Sequence, residues 1–266
     1  MDTLAGSTAL VTGATGGIGD AIARALGGRG ARLLVSGRRE AELTQLAGTV
    51  RGTAIVCDLS IGSEVDRLGE AALEADVDVL VANAALPASG LLSELTQAQV
   101  NRMLDVNLRA PIELARVLAP AMAARGRGHL VFVSSISGKV ASPASSMYNA
   151  TKFGLRGFAF GLREDLRGGG VGVSVVAPGF IRDAGMFAKT AVKLPPGVGT
   201  RTPQDVADAV VRAIEHNRAE VDVAPLGLRA GAAFGSVAPG LAGWVSDKLG
   251  SAQIARQMAE RQRHER

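Results

Sequence analysis

The sequence predicts an α/β fold in which helices cover both faces of a seven-stranded, mostly parallel sheet, a three-layer doubly wound arrangement. Three observations predict it. Short apolar runs, often Val-rich, recur seven times along the 266 residues. They are mostly continuous rather than alternating, as strands buried on both faces should be. Segments of helical length and composition separate them. The first run also passes straight into a glycine-rich turn that opens a helix.

The first strand, residues 9–12, ends in Gly13, Gly16, Gly17 and Gly19, and a helix is expected over 17–26. Strand 32–36 leads to helix 40–47, strand 53–57 to helix 63–75, and strand 77–82 to a long helix, 100–125. Strand 129–134 precedes helix 148–167, and strand 171–177 precedes helix 203–216. Thr202-Pro203 with Asp205 in the first turn is a good start for that last helix. Strand 221–224 completes the set. No composition break interrupts this rhythm, so residues 1–224 read as one domain. Residues 225–266 depart from it: 225–250 is rich in Gly, Ala and Leu, and 251–266 could form a short helix with Ile254 and Met258 on one face. This extension is expected to pack on the same domain or on a neighbouring subunit, near a subunit contact or the substrate mouth. A peripheral membrane contact through Phe234, Leu241 and Trp244 beside Lys248 is the lesser alternative.

Composition narrows the function classes. Hydrophobic residues make up 47% of the chain, enough for a sizeable core, but aromatics are only 3%, so no stacking surface for single-stranded nucleic acid is expected. The net charge of +4 is scattered, apart from Arg256, Arg261, Arg263 and Arg266, so no nucleic-acid partner is expected. Cys57 is the only cysteine and lies in an apolar strand, which suits a reducing, cytoplasmic setting and a core role. No secretory leader or membrane span is read; residues 230–246 are too short and too broken by glycines and Pro239. His129, His216 and His264 lack ligand neighbours, so no metal site is expected.

The glycine turn builds a nucleotide diphosphate site. Glycines allow a tight turn and remove the Cβ atoms that would hold a pyrophosphate off the backbone, while the helix start offers N–H groups and a positive dipole end. Tyr148 and Lys152 form the second decisive pair. Four residues apart on a helix, phenol and ammonium share a face, and the nearby cation favours the phenolate. A phenol tuned in this way can exchange a proton with a carbonyl or alcohol oxygen. Tyr148 is the only tyrosine, and it follows a strand that ends in Ser134-Ser135.

These residues resemble the short-chain dehydrogenase/reductase family in its compact Rossmann-fold form, over about residues 5–224. The resemblance rests on Thr12-Gly13 to Gly17-Ile18-Gly19, on Asn83-Ala84-Ala85 with the family's glycine replaced, on Asn107, Ser135, Tyr148 and Lys152 in the order of the catalytic tetrad, and on Pro178-Gly179. It implies an NAD(P)-dependent oxidoreductase that moves hydride between nicotinamide and a carbonyl or alcohol. Tyr148 would be the acid/base, and Lys152 would hold the ribose and lower the phenol pKa. Ser135 would bond the substrate oxygen, with Ser134 and Ser137 as competing candidates. Asn107 would steady a bulge in its helix and a water leading from Lys152. Homodimers or homotetramers through the two long helices are implied as well.

For the cofactor, Gly37 stands where a carboxylate selective for NAD would be expected. Arg38 can fork onto a 2′-phosphate, with Arg39 beside it and Thr15 able to add a hydroxyl. This favours NADP(H) and leaves NAD(H) possible. Asp58 and Leu59 resemble the adenine-contacting residues, although Asp58 could equally be a capping or loop carboxylate. Beyond Pro178-Gly179, Ile181 and Asp183 fall in the nicotinamide segment. Asp183 replaces the family threonine, and it could accept from the carboxamide or cap the following helix.

The expected substrate surroundings are apolar: Leu86, Pro87, Val140, Pro143, Met147, Phe180, Met186 and Phe187, with residues 187–200 as a mobile lid containing Pro195-Pro196-Gly197. Lys189 and Lys193 leave room for an acidic substrate group. Two rivals stay open: a catalytically silent cofactor-sensing or regulatory protein, which need not keep Ser135, Tyr148 and Lys152 together, and a sugar-nucleotide epimerase, which needs a longer C-terminal substrate domain.

Overall fold

The structure, a computed structural model, describes residues 4–87, 89–188, 190, 192, 194, 198–241 and 251–263, with the side chains of residues 251–254 left aside. In chain order its elements are β1 Thr8–Thr12, α1 Gly17–Gly27, β2 Arg32–Gly37, α2 Glu40–Val50, β3 Thr53–Val56, α3 Gly62–Glu74 and β4 Val79–Ala82. Then come α4 Gln97–Leu104, α5 Ala110–Ala124, β5 Gly128–Val133, α6 Ser146–Asp165, β6 Val171–Pro178, the single turn α7 Gly185–Ala188, α8 Pro203–Glu215 and β7 Glu220–Val223. Helices α9, Leu226–Val237, and α10, Ser251–Arg261, close the described chain.

The sheet runs β3-β2-β1-β4-β5-β6-β7, and every neighbouring pair is parallel rather than mostly so. Strand pleat sends alternate residues of β1 to opposite layers. Ala9 and Val11 join Ile22 and Leu26 of α1 and Val206 and Val210 of α8; Leu10 joins Leu68 of α3, Leu114 of α5 and Leu155 of α6. The strand order reverses between β1 and β4, which opens a crevice at the carboxyl ends, the place where such sheets bind ligands.

Two sequence expectations are corrected. The helix expected over 100–125 starts at Gln97, where Thr96 and Gln99 form a reciprocal capping box. It then passes through a π turn at Asp105–Arg109 into α5. The glycine-rich stretch after Pro225, read without a helix, forms α9. Glycines weaken helices in water, but Ala232 packs on Ile136 and Ala224, and burial supplies what propensity lacks. Cys57 is buried as expected, and its thiol is pushed up to about 11 by burial, which suits a core residue and not a nucleophile. Lys189, Lys193, Pro195-Pro196-Gly197, Trp244 and Lys248 lie outside the described residues, as does the side chain of Ile254.

His129 of β5 is buried beside Ser174, with 2.7 Å between Nε2 and Oγ, and burial lowers its pKa to about 3. Unfolding returns the ring to its ordinary value near 6.5, so the unfolded chain binds the extra proton first as pH falls. Stability from this group is therefore complete above pH 6.5 and is lost on the way down toward 3. Between pH 7.5 and 5 the loss should be about 2 kcal/mol. Urea unfolding at both pH values, compared with His129→Gln, checks this; equal pH slopes in the two proteins would refute it.

Candidate active site

The crevice is built from loops that leave the carboxyl ends of β1, β4, β5 and β6. At the end of β1, Gly13 takes a positive φ of 63°, and a Cβ there would come within 2.8 Å of the Ala84 Cα. A Cβ on Gly19 would meet the Gly13 carbonyl at 2.3 Å and Asn83 Nδ2 at 2.9 Å. Asn83 in turn donates from Nδ2 to the carbonyls of Thr12 and Gly13 at 3.0 and 3.3 Å, and the Asn83 and Ala84 amides donate to Thr12 Oγ1. Asn83 and Ala84 therefore buttress the glycine turn directly, while Ala85 follows them half-buried. Gly16 is the N-cap of α1, and no side chain caps that helix start. The crest of the loop can take an anion, so the residues present fit a dinucleotide pyrophosphate.

Gly37 closes β2, and a Cβ there would lie 3.3 Å from Thr15 Oγ1, so the site of an NAD-selective carboxylate faces a hydroxyl instead. Arg39 donates to the Thr15 carbonyl at 2.5 Å and pairs with Glu42 at 2.8 Å. Arg38 is exposed and stands 3.8 Å from Asp58 Oδ2. Thr15, Arg38 and Arg39 thus gather at one corner. Asp58 makes the bonds of a loop carboxylate. Its Oδ1 accepts from the Ser60 amide at 2.9 Å and the Ser60 hydroxyl at 2.7 Å. Burial lifts its pKa, but the Ser60 bonds and the Arg38 and Arg102 charges outweigh that and hold it below the usual value. Leu59 and Ile181 are buried in the two core clusters.

The catalytic candidates converge. Ser135, at the end of β5, lies near enough to the Tyr148 phenol to favour its ionised form, and its Oγ accepts from the Ser137 amide at 3.1 Å. Ser134 is turned away, donating to the Lys152 carbonyl at 3.0 Å. That geometry separates the three serines: Ser135 faces the phenol, Ser134 ties β5 to α6, and Ser137 contributes its backbone. Gly138 permits this approach, since a Cβ there would lie 2.7 Å from Ser134 Oγ and 2.8 Å from the Lys152 carbonyl. Pro178 offers its carbonyl to Ser135 Oγ at a long 3.4 Å, and Gly179 makes room for Leu228 of α9.

Lys152 is 1% exposed; its Nζ donates to the Val133 carbonyl at 3.0 Å and lies 5.8 Å from the centre of the Tyr148 ring. Burial lowers its pKa to about 8. The phenol does not show the depression expected from its cationic neighbour. Burial raises the Tyr148 pKa, and Ser135 pulls against it without prevailing. Asn107 sits in the π turn, fully buried, and clamps Leu86: its Oδ1 accepts from the Leu86 amide at 2.7 Å and its Nδ2 donates to the Leu86 carbonyl at 3.0 Å. The bulge is there, and its visible task is to hold the loop that follows Asn83-Ala84-Ala85.

After β6 the chain folds back over the glycine loop. Asp183 (φ 70°) and Gly185 (φ 81°) are both left-handed. This places Ala184 where a Cβ on Gly17 would be only 2.2 Å away and brings Gly185 against Ile18. The Asp183 carboxylate is exposed and paired with Arg182 at 3.4 Å. At this φ a β-branched residue is strained, whereas Asp is tolerated.

Sequence reasoning missed two groups. Lys139, following β5, bonds Glu220 at 2.8 Å and Asp222 at 2.6 Å on β7, a cross-link 83 residues long for the Asp222 pair. Gln262, just beyond α10, is buried and bonds Ser89 Oγ and the Met186 carbonyl.

Comparison with known proteins agrees with this geometry. A family model described as short chain dehydrogenase matches residues 7–194. The ketoacyl reductase HetN of Nostoc sp. is 36% identical over 230 residues, covering 84% of this chain and 80% of its own length. A solved metagenomic short-chain oxidoreductase in complex with NADP superposes with a TM-score of 0.71 at 35% identity, over 84% of this chain and 98% of that one. The short-chain dehydrogenase of Sphingobium yanoikuyae in complex with NADPH gives 0.78 at 25% identity, over 91% and 96%. The chain belongs to the short-chain dehydrogenase family and is an NAD(P)-dependent oxidoreductase.

Proposed function

We propose that the chain reduces a ketone or aldehyde with an apolar body to its alcohol, using NADPH, with Tyr148 as the proton donor. The observation that carries the proposal is the convergence of Ser135, Tyr148 and Lys152, with the Lys152 Nζ 5.8 Å from the centre of the Tyr148 ring. A phenol kept protonated through neutral pH suits donation to a developing alkoxide, which is the reductive direction. The reduced nicotinamide, when bound, supplies hydride to the carbonyl carbon. Tyr148 gives its proton to the carbonyl oxygen, and Ser135 directs a hydroxyl at the same oxygen, where negative charge grows. Lys152 holds a proton near neutrality behind the phenol and would orient the ribose. Asn107 keeps the Leu86 loop in place. These roles would be absent from a silent cofactor sensor, which has no use for the three groups together.

NADPH is favoured over NADH by the corner formed by Thr15, Arg38 and Arg39, and by the NADP and NADPH complexes of the solved relatives. Asp58 and Leu59 would line the adenine, and residues 178–183 the nicotinamide. Gly37→Asp places a carboxylate at the end of β2, against the 2′-phosphate. KM for NADPH should rise at least about tenfold while KM for NADH falls. Parallel changes in both constants would refute the assignment of this corner.

The apolar body is inferred from Leu86, Met186, Phe180 and Phe187, whose two rings lie 5.0 Å apart. Because one relative is a ketoacyl reductase, 3-oxoacyl esters head the substrate panel. Absorbance at the reduced-nicotinamide band, with NADPH and NADH against ketones, aldehydes and 3-oxoacyl esters, tests the whole reading. Turnover of highly polar sugars alone would overturn it. A cytoplasmic, homodimeric or homotetrameric enzyme belongs to the same proposal. The single buried thiol supports the first, and the exposed Phe153 on α6 supports association through the long helices. Among the described residues, no helix is long and apolar enough to cross a membrane.

A further inference from the structure

Three loops with different origins meet under the last helix. Ser89 belongs to the loop after β4, Ala144 to the loop that leads into α6 and Tyr148, and Met186 and Thr190 to the segment after β6. Gln262 joins the outer two: its Oε1 accepts from Ser89 Oγ at 2.5 Å, and its Nε2 donates to the Met186 carbonyl at 3.1 Å. The Gly90 amide carries the link onward, donating to the Ala144 carbonyl at 2.6 Å. Arg261 adds a guanidinium bond to the Thr190 carbonyl, and Thr190 is itself buried. A long amide is costly to bury, and it stays buried only where both of its ends are satisfied. Here the two ends hold the loop after β4, which carries Leu86, and the segment after β6, which carries Met186 and Phe187.

We propose that Gln262 is a positioning residue for the substrate, and that through it α10 sets the spacing between residues 89–90 and residues 186–188 and so selects the carbonyl bodies that reach Tyr148. The inference rests on the carbonyl-reductase reading for its substrate, but the clasp itself does not. Among the described residues Gln262 makes no hydrogen bond to the glycine loop or to Ser135 and Tyr148, so it acts on how the substrate is held and not on the chemical step.

Gln262→Leu keeps the bulk and removes both bonds; Ser89→Ala removes one of them and guards against a folding defect in the first variant. Each is assayed in the full-length chain with a short and a long 3-oxoacyl ester, alongside NADPH titration by fluorescence. For Gln262→Leu, KM for the long ester should rise about tenfold, the equivalent of one or two lost hydrogen bonds, with kcat within threefold and NADPH affinity within twofold. Ser89→Ala should move the same constant in the same direction by less. Hydrogen exchange gives an independent reading: the Thr190 amide, bonded to the Phe187 carbonyl at 2.9 Å, should exchange about tenfold faster in Gln262→Leu. Unchanged KM values with unchanged exchange would overturn the proposal, as would kcat, Tm and NADPH affinity falling together. If the wild-type chain reduced no carbonyl, the functional reading would fail, and faster exchange confined to residues 186–190 would still uphold the clasp.

Discussion

Tyr148→Phe should lower turnover by about a hundred- to ten-thousandfold, the usual reach of a positioned proton donor. The ring and its packing stay, and only the hydroxyl is lost. Because that proton moves in the transition state, kcat and kcat/KM should fall together, with NADPH affinity unchanged. The wild-type pH profile carries a second mark of the same group. Burial keeps the phenol protonated beyond its ordinary range, so the reductive rate should hold through neutrality and decline on the alkaline side. A variant within tenfold of wild type would remove Tyr148 from the chemistry and revive the cofactor-sensing alternative. A large loss of NADPH binding would instead make the residue part of the cofactor site.

Much of the site was legible because its determinants are local. The glycine loop is contiguous, and the Tyr148–Lys152 spacing fixes a shared helix face before any tertiary contact exists. The capping box of Thr96 and Gln99 was equally local and could have moved the start of that helix from 100 to 97. What stayed illegible depends on distance or burial. Ser89 and Gln262 are 173 residues apart, and no periodicity announces their bond. The direction of the Tyr148 shift is set by burial, opposed only by Ser135, and the Tyr148–Lys152 spacing reveals neither. Helix α9 was missed because its glycines lower propensity, while the contact of Ala232 with Ile136 that compensates is tertiary. Asp183 looked like a substitution for the family threonine within an unchanged loop. The positive φ shows that the loop itself takes a path in which threonine would be strained.

Lys152→Met should produce an enzyme that is more stable and nearly inactive. At neutral pH the wild-type ammonium is buried, bonded to a single backbone carbonyl, and its pKa has dropped from about 10.5 to about 8. The unfolded chain therefore binds the proton more tightly, and folding is opposed at every pH below 8. The opposition shrinks as pH rises from 8 to 10.5, where both states carry a neutral amine. At full strength it amounts to about 3 kcal/mol, from which about 1 is deducted for the lost bond to Val133. Methionine fills a similar volume with no charge to desolvate, so the variant should gain about 1–3 kcal/mol at pH 7 and much less near pH 10. Turnover should fall at least about a hundredfold, since the group that holds a proton behind Tyr148 and would orient the ribose is gone. Urea midpoints at pH 7 and 9.5, measured beside kcat, read both effects. A variant less stable at pH 7 would mean that the lysine is retained for folding, and one with full activity would mean that it is not part of the proton path. A gain in stability matched by a loss of turnover identifies a destabilising charge that the fold tolerates because the reaction requires it.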